Sequence, residues 1–143
     1  MEAALEEAQT ALSEDEIPIG AVLVKDNIIQ VSDHNRTKQL NNPLAHAEKL
    51  VIDSIVASGI KYLNEYTLYV TLEPCHMCSG MIIWSRIGRL VFAASDPKAG
   101  CVGSIYNILS ECSFNHHPKI EKGILADAAS DLLISFFRNK RMR

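Results

Sequence analysis

Apolar positions recur along this chain with two alternating periods, and their order outlines the fold. Ala4, Ala8, Ala11 and Leu12 fall at helical spacing, so residues 2–13 read as an amphipathic helix. Two β-branched runs follow, residues 19–24 and 28–31. They flank Lys25-Asp26-Asn27, which is a hairpin signal. Residues 46–58 return to helical spacing, with Ala47, Leu50, Val51 and Ile55 on one face and Gly59 as the stop. Thr67-Leu68-Tyr69-Val70-Thr71-Leu72 is β-branched and aromatic and predicts a strand closed by Pro74.

Residues 76–85 then resume a helical pattern. Leu90-Val91-Phe92-Ala93-Ala94 is the short apolar run of a strand covered on both faces. A weaker strand is expected over residues 119–125, and Leu132, Leu133, Phe136 and Phe137 give a last helix its core face. The order α-β-β-α-β-α-β-β-α predicts a mixed sheet with helices on both sides.

At 143 residues the chain has the length of one domain, and residues 1–143 are taken as a single unit. No apolar run reaches the roughly 18–20 residues of a membrane span, and Met1-Glu2-Ala3-Ala4 is acidic rather than a signal peptide. A cytoplasmic protein with no membrane association is expected. The net charge of −3 argues against indiscriminate nucleic-acid binding, but the charge is unevenly spread. Residues 1–85 carry 5 Lys/Arg against 12 Asp/Glu, a balance of −7; residues 86–143 carry 9 against 5, a balance of +4. The basic tail Arg138-Asn139-Lys140-Arg141-Met142-Arg143 could touch phosphates, or simply solubilise the end of the chain.

The chemistry concentrates in His46-Ala47-Glu48 and Pro74-Cys75-His76-Met77-Cys78. One imidazole and two thiolates can fill three positions on a zinc ion, leaving the fourth open and Glu48 free to move protons. Cys75 and Cys78 share a helix face. A helix N-terminus would also favour their thiolate forms. His46 and Glu48, two apart, lie about 200° around an ideal helix. They can serve one site only from the first helical turn, and Asn41-Asn42-Pro43 offers a helix entry just before them. The predicted site is therefore two helix N-termini facing each other across a metal. Taken singly, the parts have other readings. His46 could be a cap, and the C-x-x-C a redox pair or half of a structural zinc site. A zinc ribbon built on four cysteines would need a second C-x-x-C, and the chain has none.

The H-x-E…P-C-x-x-C spelling is the signature of zinc nucleobase deaminases. The chain resembles one branch of them, the bacterial tRNA-specific adenosine deaminases of the cytidine/deoxycytidylate deaminase superfamily. The resemblance runs through residues 16–22, 34–36, 45–48, 67–75, 96–100, 103–104, 114–117 and 136–138. It implies a three-layer α/β/α cytidine-deaminase-like fold around a five-stranded mixed sheet and one zinc ion per chain. It further implies a homodimer acting on the wobble adenosine of a tRNA anticodon stem-loop, with tRNA-Arg the expected substrate and no nucleotide cofactor.

Carried over by residue, His46, Cys75 and Cys78 are metal ligands and Glu48 is the proton shuttle. Asn35 and the backbone of Ala47 contact the base, and Asp96 and Lys98 lie near the anticodon. By residue type alone Asn35 and the Asp96–Gly100 stretch are also ordinary turn formers. Met81 and Trp84 read as core or dimer interface, His76 is rejected as a fourth ligand because a closed site excludes water, and His116, His117, Cys101 and Cys112 are given no role. The family usually begins several residues before the position of Met1, and residues 58–66 lack the Trp-Arg-Leu expected ahead of the central strand.

Overall fold

A computed structural model describes residues 1–111 and 113–142; Cys112 and Arg143 lie outside the described residues. The elements are α1 (Glu2–Ser13), β1 (Gly20–Lys25), β2 (Ile28–His34), α2 (Ala47–Ala57), β3 (Thr67–Leu72), α3 (His76–Ser85), β4 (Arg89–Ala94), a 3-10 turn (Ile108–Ser110), β5 (Lys119–Lys122) and α4 (Ala126–Arg141). The five strands form one mixed sheet in the order β2-β1-β3-β4-β5. β1 runs antiparallel to both β2 and β3, while β3, β4 and β5 are mutually parallel. Helices α1 and α4 touch each other and one face of the sheet; α2 and α3 touch each other on the opposite face. The α/β/α layering and mixed sheet are those expected. No helix among the described residues is long and apolar enough to cross a membrane.

The main core lies under α2 and α3. Ala21, Leu23, Leu68, Val70, Leu90 and Phe92 from the strands meet Val51, Ile52, Ile55 and Ile82 from the helices. A smaller cluster of Ala93, Ala94 and Ala129 sits under α1 and α4. The hairpin turns at Asp26 and Asn27, both with positive φ (53° and 60°), as a two-residue turn that matches strand twist requires.

Some elements differ from expectation. β5 stops at Lys122, because Gly123 and Leu125 adopt left-handed backbone that ends the ladder. It is an exposed, charged edge strand, which discourages pairing with another sheet. Phe137 is exposed and only meets Phe136 edge-on, with centroids 5.2 Å apart. Neighbouring helix positions point about 100° apart, so only Phe136 and Ala129 are buried. Trp84 is 85% exposed, which removes the core reading for it, whereas Met81 packs against the main core.

The seat of α1 is tight. Ala4, Ala8 and Ala11 are fully buried, and a Cβ placed on Gly20 would lie 2.0 Å from the Ala4 carbonyl oxygen and 2.7 Å from the Ala8 nitrogen. Backbone crowds this position, so no side-chain rotation can make room. Gly20→Ala is expected to destabilise the fold by about 2 kcal/mol or more. A urea titration checks this as a lower midpoint at unchanged slope.

Candidate active site

His46 and Cys75 occupy equivalent places in their elements. Each is the residue immediately before a helix, extended in backbone (φ −76° for both), at the N-termini of α2 and α3. Cys78 is the third residue of α3 and fully buried. The His46 Nδ1 atom lies 3.7 Å from Cys75 Sγ and 3.6 Å from Cys78 Sγ. These three ligand atoms form a compact group that could hold a metal ion. Their spacing also decides how well a metal would fit. For a tetrahedral zinc with Zn–N near 2.0 Å and Zn–S near 2.3 Å, the N···S edge is about 3.5 Å. The donor set fits zinc in both chemistry and edge length, with a fourth position left open.

Glu48 sits in the first turn of α2, where the two-residue spacing from His46 required it to be, and is almost wholly buried. Burial raises its carboxyl to about 7, outweighing the opposing pull of His46. The thiols divide. The hydrogen bond from Cys78 draws Cys75 down to about 3, against the opposing effect of burial and with help from His46. Cys78, beside the Cys75 sulfur and buried, is held far above the ordinary thiol range. His46 is raised by its contact with Cys75. Without a cation the pair gives up one proton readily and keeps the second. A divalent ion among the three ligands is what would release both.

Asn35 is buried at the end of β2, and its Oδ1 accepts the Ala47 N–H at 2.9 Å. An N–H fixes the facing atom as oxygen, so the carboxamide NH2 is the end left to donate. The Ala47 N–H is correspondingly engaged inside the protein. Asp96 accepts N–H bonds from Lys98 (3.0 Å) and Ala99 (3.2 Å), closing its own turn, and Lys98 is exposed on that turn. His76 faces outward and lines a surface hollow of about 540 Å³ with Tyr62, Trp84 and Phe114, away from the metal ligands. His116 Nε2 donates to the Ile87 carbonyl and His117 Nδ1 to the Leu109 carbonyl, so both clasp the segment leading to β5. Cys101 is a buried free thiol whose N–H bonds the Pro74 carbonyl beside Cys75.

Two site-framing residues lie in stretches that carry the family resemblance, but the sequence assigned them no role. Glu73 is buried and accepts four bonds: from Asp96 N (3.0 Å), Val102 N (2.9 Å), Ser104 N (3.1 Å) and Ser104 Oγ (2.5 Å). Burial opposes its ionisation, but these donors outweigh that and hold it below the usual carboxylate range. Gly100 is required at the bend, since a Cβ there would lie 2.3 Å from the Glu73 carboxyl carbon. Glu16, also buried, does the same for the other loop by accepting Lys38 N (3.0 Å) and Gln39 N (2.6 Å).

The sequence profile of the cytidine and deoxycytidylate deaminase zinc-binding region matches residues 1–94. The chain belongs to this deaminase family. It is 44% identical to the tRNA-specific adenosine deaminase of Bacillus subtilis (strain 168), over all of this chain and 89% of that one. It is also 44% identical to the enzyme of the same name from Aquifex aeolicus (strain VF5), over 99% and 93% of the two chains. A solved structure from work on A-to-I editing by tRNA:A34 deaminases superposes with a TM-score of 0.88 at 43% identity, covering 93% of this chain and 97% of that one. A guanine deaminase from Nitrosomonas europaea, 24% identical, shares the fold at a TM-score of 0.80.

Two outcomes follow for this deaminase chain. In metal-free protein the folded pKa of Glu48, about 7, lies above its ordinary 4.5, so the folded state keeps a proton that the unfolded state has lost. That contribution is present below pH 4.5 and fades as pH rises to about 7, by on the order of 2–3 kcal/mol. Glu48→Gln removes the fade, and urea melts across pH 4.5–8 should show the variant gaining on wild type as pH rises. Glu73→Gln sets an NH2 against N–H donors and is expected to cost about 2 kcal/mol. Faster hydrogen exchange at the Val102 and Ser104 amides reads it out.

Proposed function

We propose that this chain is a zinc-dependent hydrolase that deaminates adenosine to inosine at the wobble position of a tRNA anticodon, with tRNA-Arg as the expected substrate. The observation that carries the reading is the convergence of His46, Cys75 and Cys78 at tetrahedral-edge spacing, with a buried carboxyl near neutrality in the same helical turn. Identity of 44% along the whole chain to tRNA-specific adenosine deaminases supports the choice of substrate.

His46, Cys75 and Cys78 would hold one zinc ion per chain. Bound there, zinc supplies a Lewis-acid position that makes a water nucleophilic near neutral pH. Glu48 acts as both base and acid. It accepts one proton of the attacking water and hands it to a ring nitrogen of the base, then takes the second from the hydroxyl added to the carbon and gives it to the amine, which departs as ammonia. A carboxyl poised near pH 7 can do both, which removes the need for a second acid. Asn35 donates to the base through its NH2 end and holds the first turn of α2 through Oδ1; the Ala47 backbone enters through that bond. Asp96 shapes, and Lys98 caps, the loop expected against the nucleotides flanking the target. An anticodon loop already presents unstacked bases, so the extrusion cost is low. We take the enzyme to be a cytoplasmic homodimer, with exposed Trp84 on α3 fitting a subunit contact.

The test is inosine formation on an anticodon stem-loop with A at the wobble position, with free adenosine, cytidine and guanine run beside it. Conversion of the stem-loop alone is expected; conversion of a free base or nucleoside alone would move the chain to salvage chemistry. Glu48→Ala should keep one zinc per chain and lose activity by roughly three orders of magnitude.

A further inference from the structure

His34, the last residue of β2, is 2% exposed and sits between two carboxylates, one within α1 and one at its C-terminal cap. Its Nδ1 lies 2.7 Å from Glu7 Oε2 and its Nε2 lies 2.7 Å from Glu14 Oε2. The contacts close into a ring. Glu14 accepts Gln39 Nε2 (2.7 Å), Gln39 accepts Arg36 Nη1 (2.8 Å), and Arg36 Nε donates to Asp33 Oδ1 (2.7 Å), which also accepts the His34 N–H (2.8 Å). Across the ladder His34 pairs with Gly20, where the backbone of α1 presses close against the sheet. Two separate features thus lock α1 to the same point of the hairpin.

The next residue is Asn35. Its N–H is held by the Ile19 carbonyl (3.0 Å), and its side chain holds the Ala47 N–H at the start of α2, between His46 and Glu48. The first N–H groups of a helix have no partner within it, so this bond ties the helix start to the end of β2. We propose that His34 is a positioning residue for the reaction: by bridging Glu7 of α1 and Glu14 at its C-terminal cap it fixes the end of β2, and so sets how Asn35 meets both the substrate base and the N-terminus of α2. The Glu7-His34-Glu14 bridge makes the docking of α1, far from the chemistry in sequence, a condition for full activity. This rests on the reading of Asn35 as a base contact.

The experiment is a double-mutant cycle of His34→Leu and Asn35→Ala in zinc-loaded protein on the anticodon stem-loop, with zinc content and Ala47 amide exchange measured on the same samples. His34→Leu is expected to keep its zinc and its cooperative melt, and to lose kcat/KM by between about 10- and 100-fold, the scale for a misplaced orienting group. In the Asn35→Ala background the same change should cost less than about twofold, because residues acting through one another are non-additive. Exchange at Ala47 should quicken by about tenfold or more in His34→Leu. Wild-type kcat/KM in His34→Leu, full multiplicative losses in the cycle, or unchanged Ala47 protection would overturn the proposal. If His34→Leu fails to fold, Glu7→Ala/Glu14→Ala removes the bridge from the other side and must give the same pattern. If wild type makes no inosine on the stem-loop, the functional reading fails, and Ala47 exchange alone decides the positioning claim.

Discussion

The site depends on one constraint: two helices must begin at the same point in space. α2 and α3 lie side by side on one face of the sheet, and each contributes the residue just before its first turn, His46 and Cys75. The positive ends of both helix dipoles meet there, a field that favours the thiolates a metal requires. That geometry also explains Glu48. Only in the first turn can a residue two positions beyond the imidazole still face the same gap, and there burial raises it toward neutrality.

What positions those helix starts is less local. α2 is reached from β2 across the 35–45 segment, and α3 from β3 through Pro74. The 35–45 segment and the 96–104 loop after β4 are each held by a buried carboxylate that accepts backbone N–H groups, Glu16 for the first and Glu73, next to Pro74, for the second. Neither carboxylate has been placed in contact with the substrate. Each replaces the regular hydrogen bonding that a loop lacks, which is how irregular chain can be fixed beside a reaction centre.

The cluster of His46, Cys75 and Cys78, and the place of Glu48 beside it, were legible in the sequence because they are set locally. A motif three or four residues long sits at a helix start, where sequence neighbours are also spatial neighbours. The sheet was legible for the same reason, since β-branched runs and a two-residue turn declare themselves within ten residues. Glu16, Glu73 and His34 were not, because their meaning lies in partners 20 to 31 residues away in the chain. As single letters they are an ordinary acid or histidine. The misplacements were likewise tertiary: Phe137 shares the composition of a core position but not its angle, and the short β5 is set by the left-handed backbone at Gly123 and Leu125.

The carboxylate anchors have an evolutionary corollary. Because Glu16 and Glu73 grip main-chain N–H groups, these bonds do not depend on which side chains the gripped and neighbouring loop positions carry. Leu40, Leu44, Pro97 and Lys98 are exposed and can be exchanged without rebuilding the frame beneath them. A scaffold built in this way lets selection revise what the enzyme prefers while its chemistry is inherited intact, and the same metal centre can then pass among relatives with different substrates.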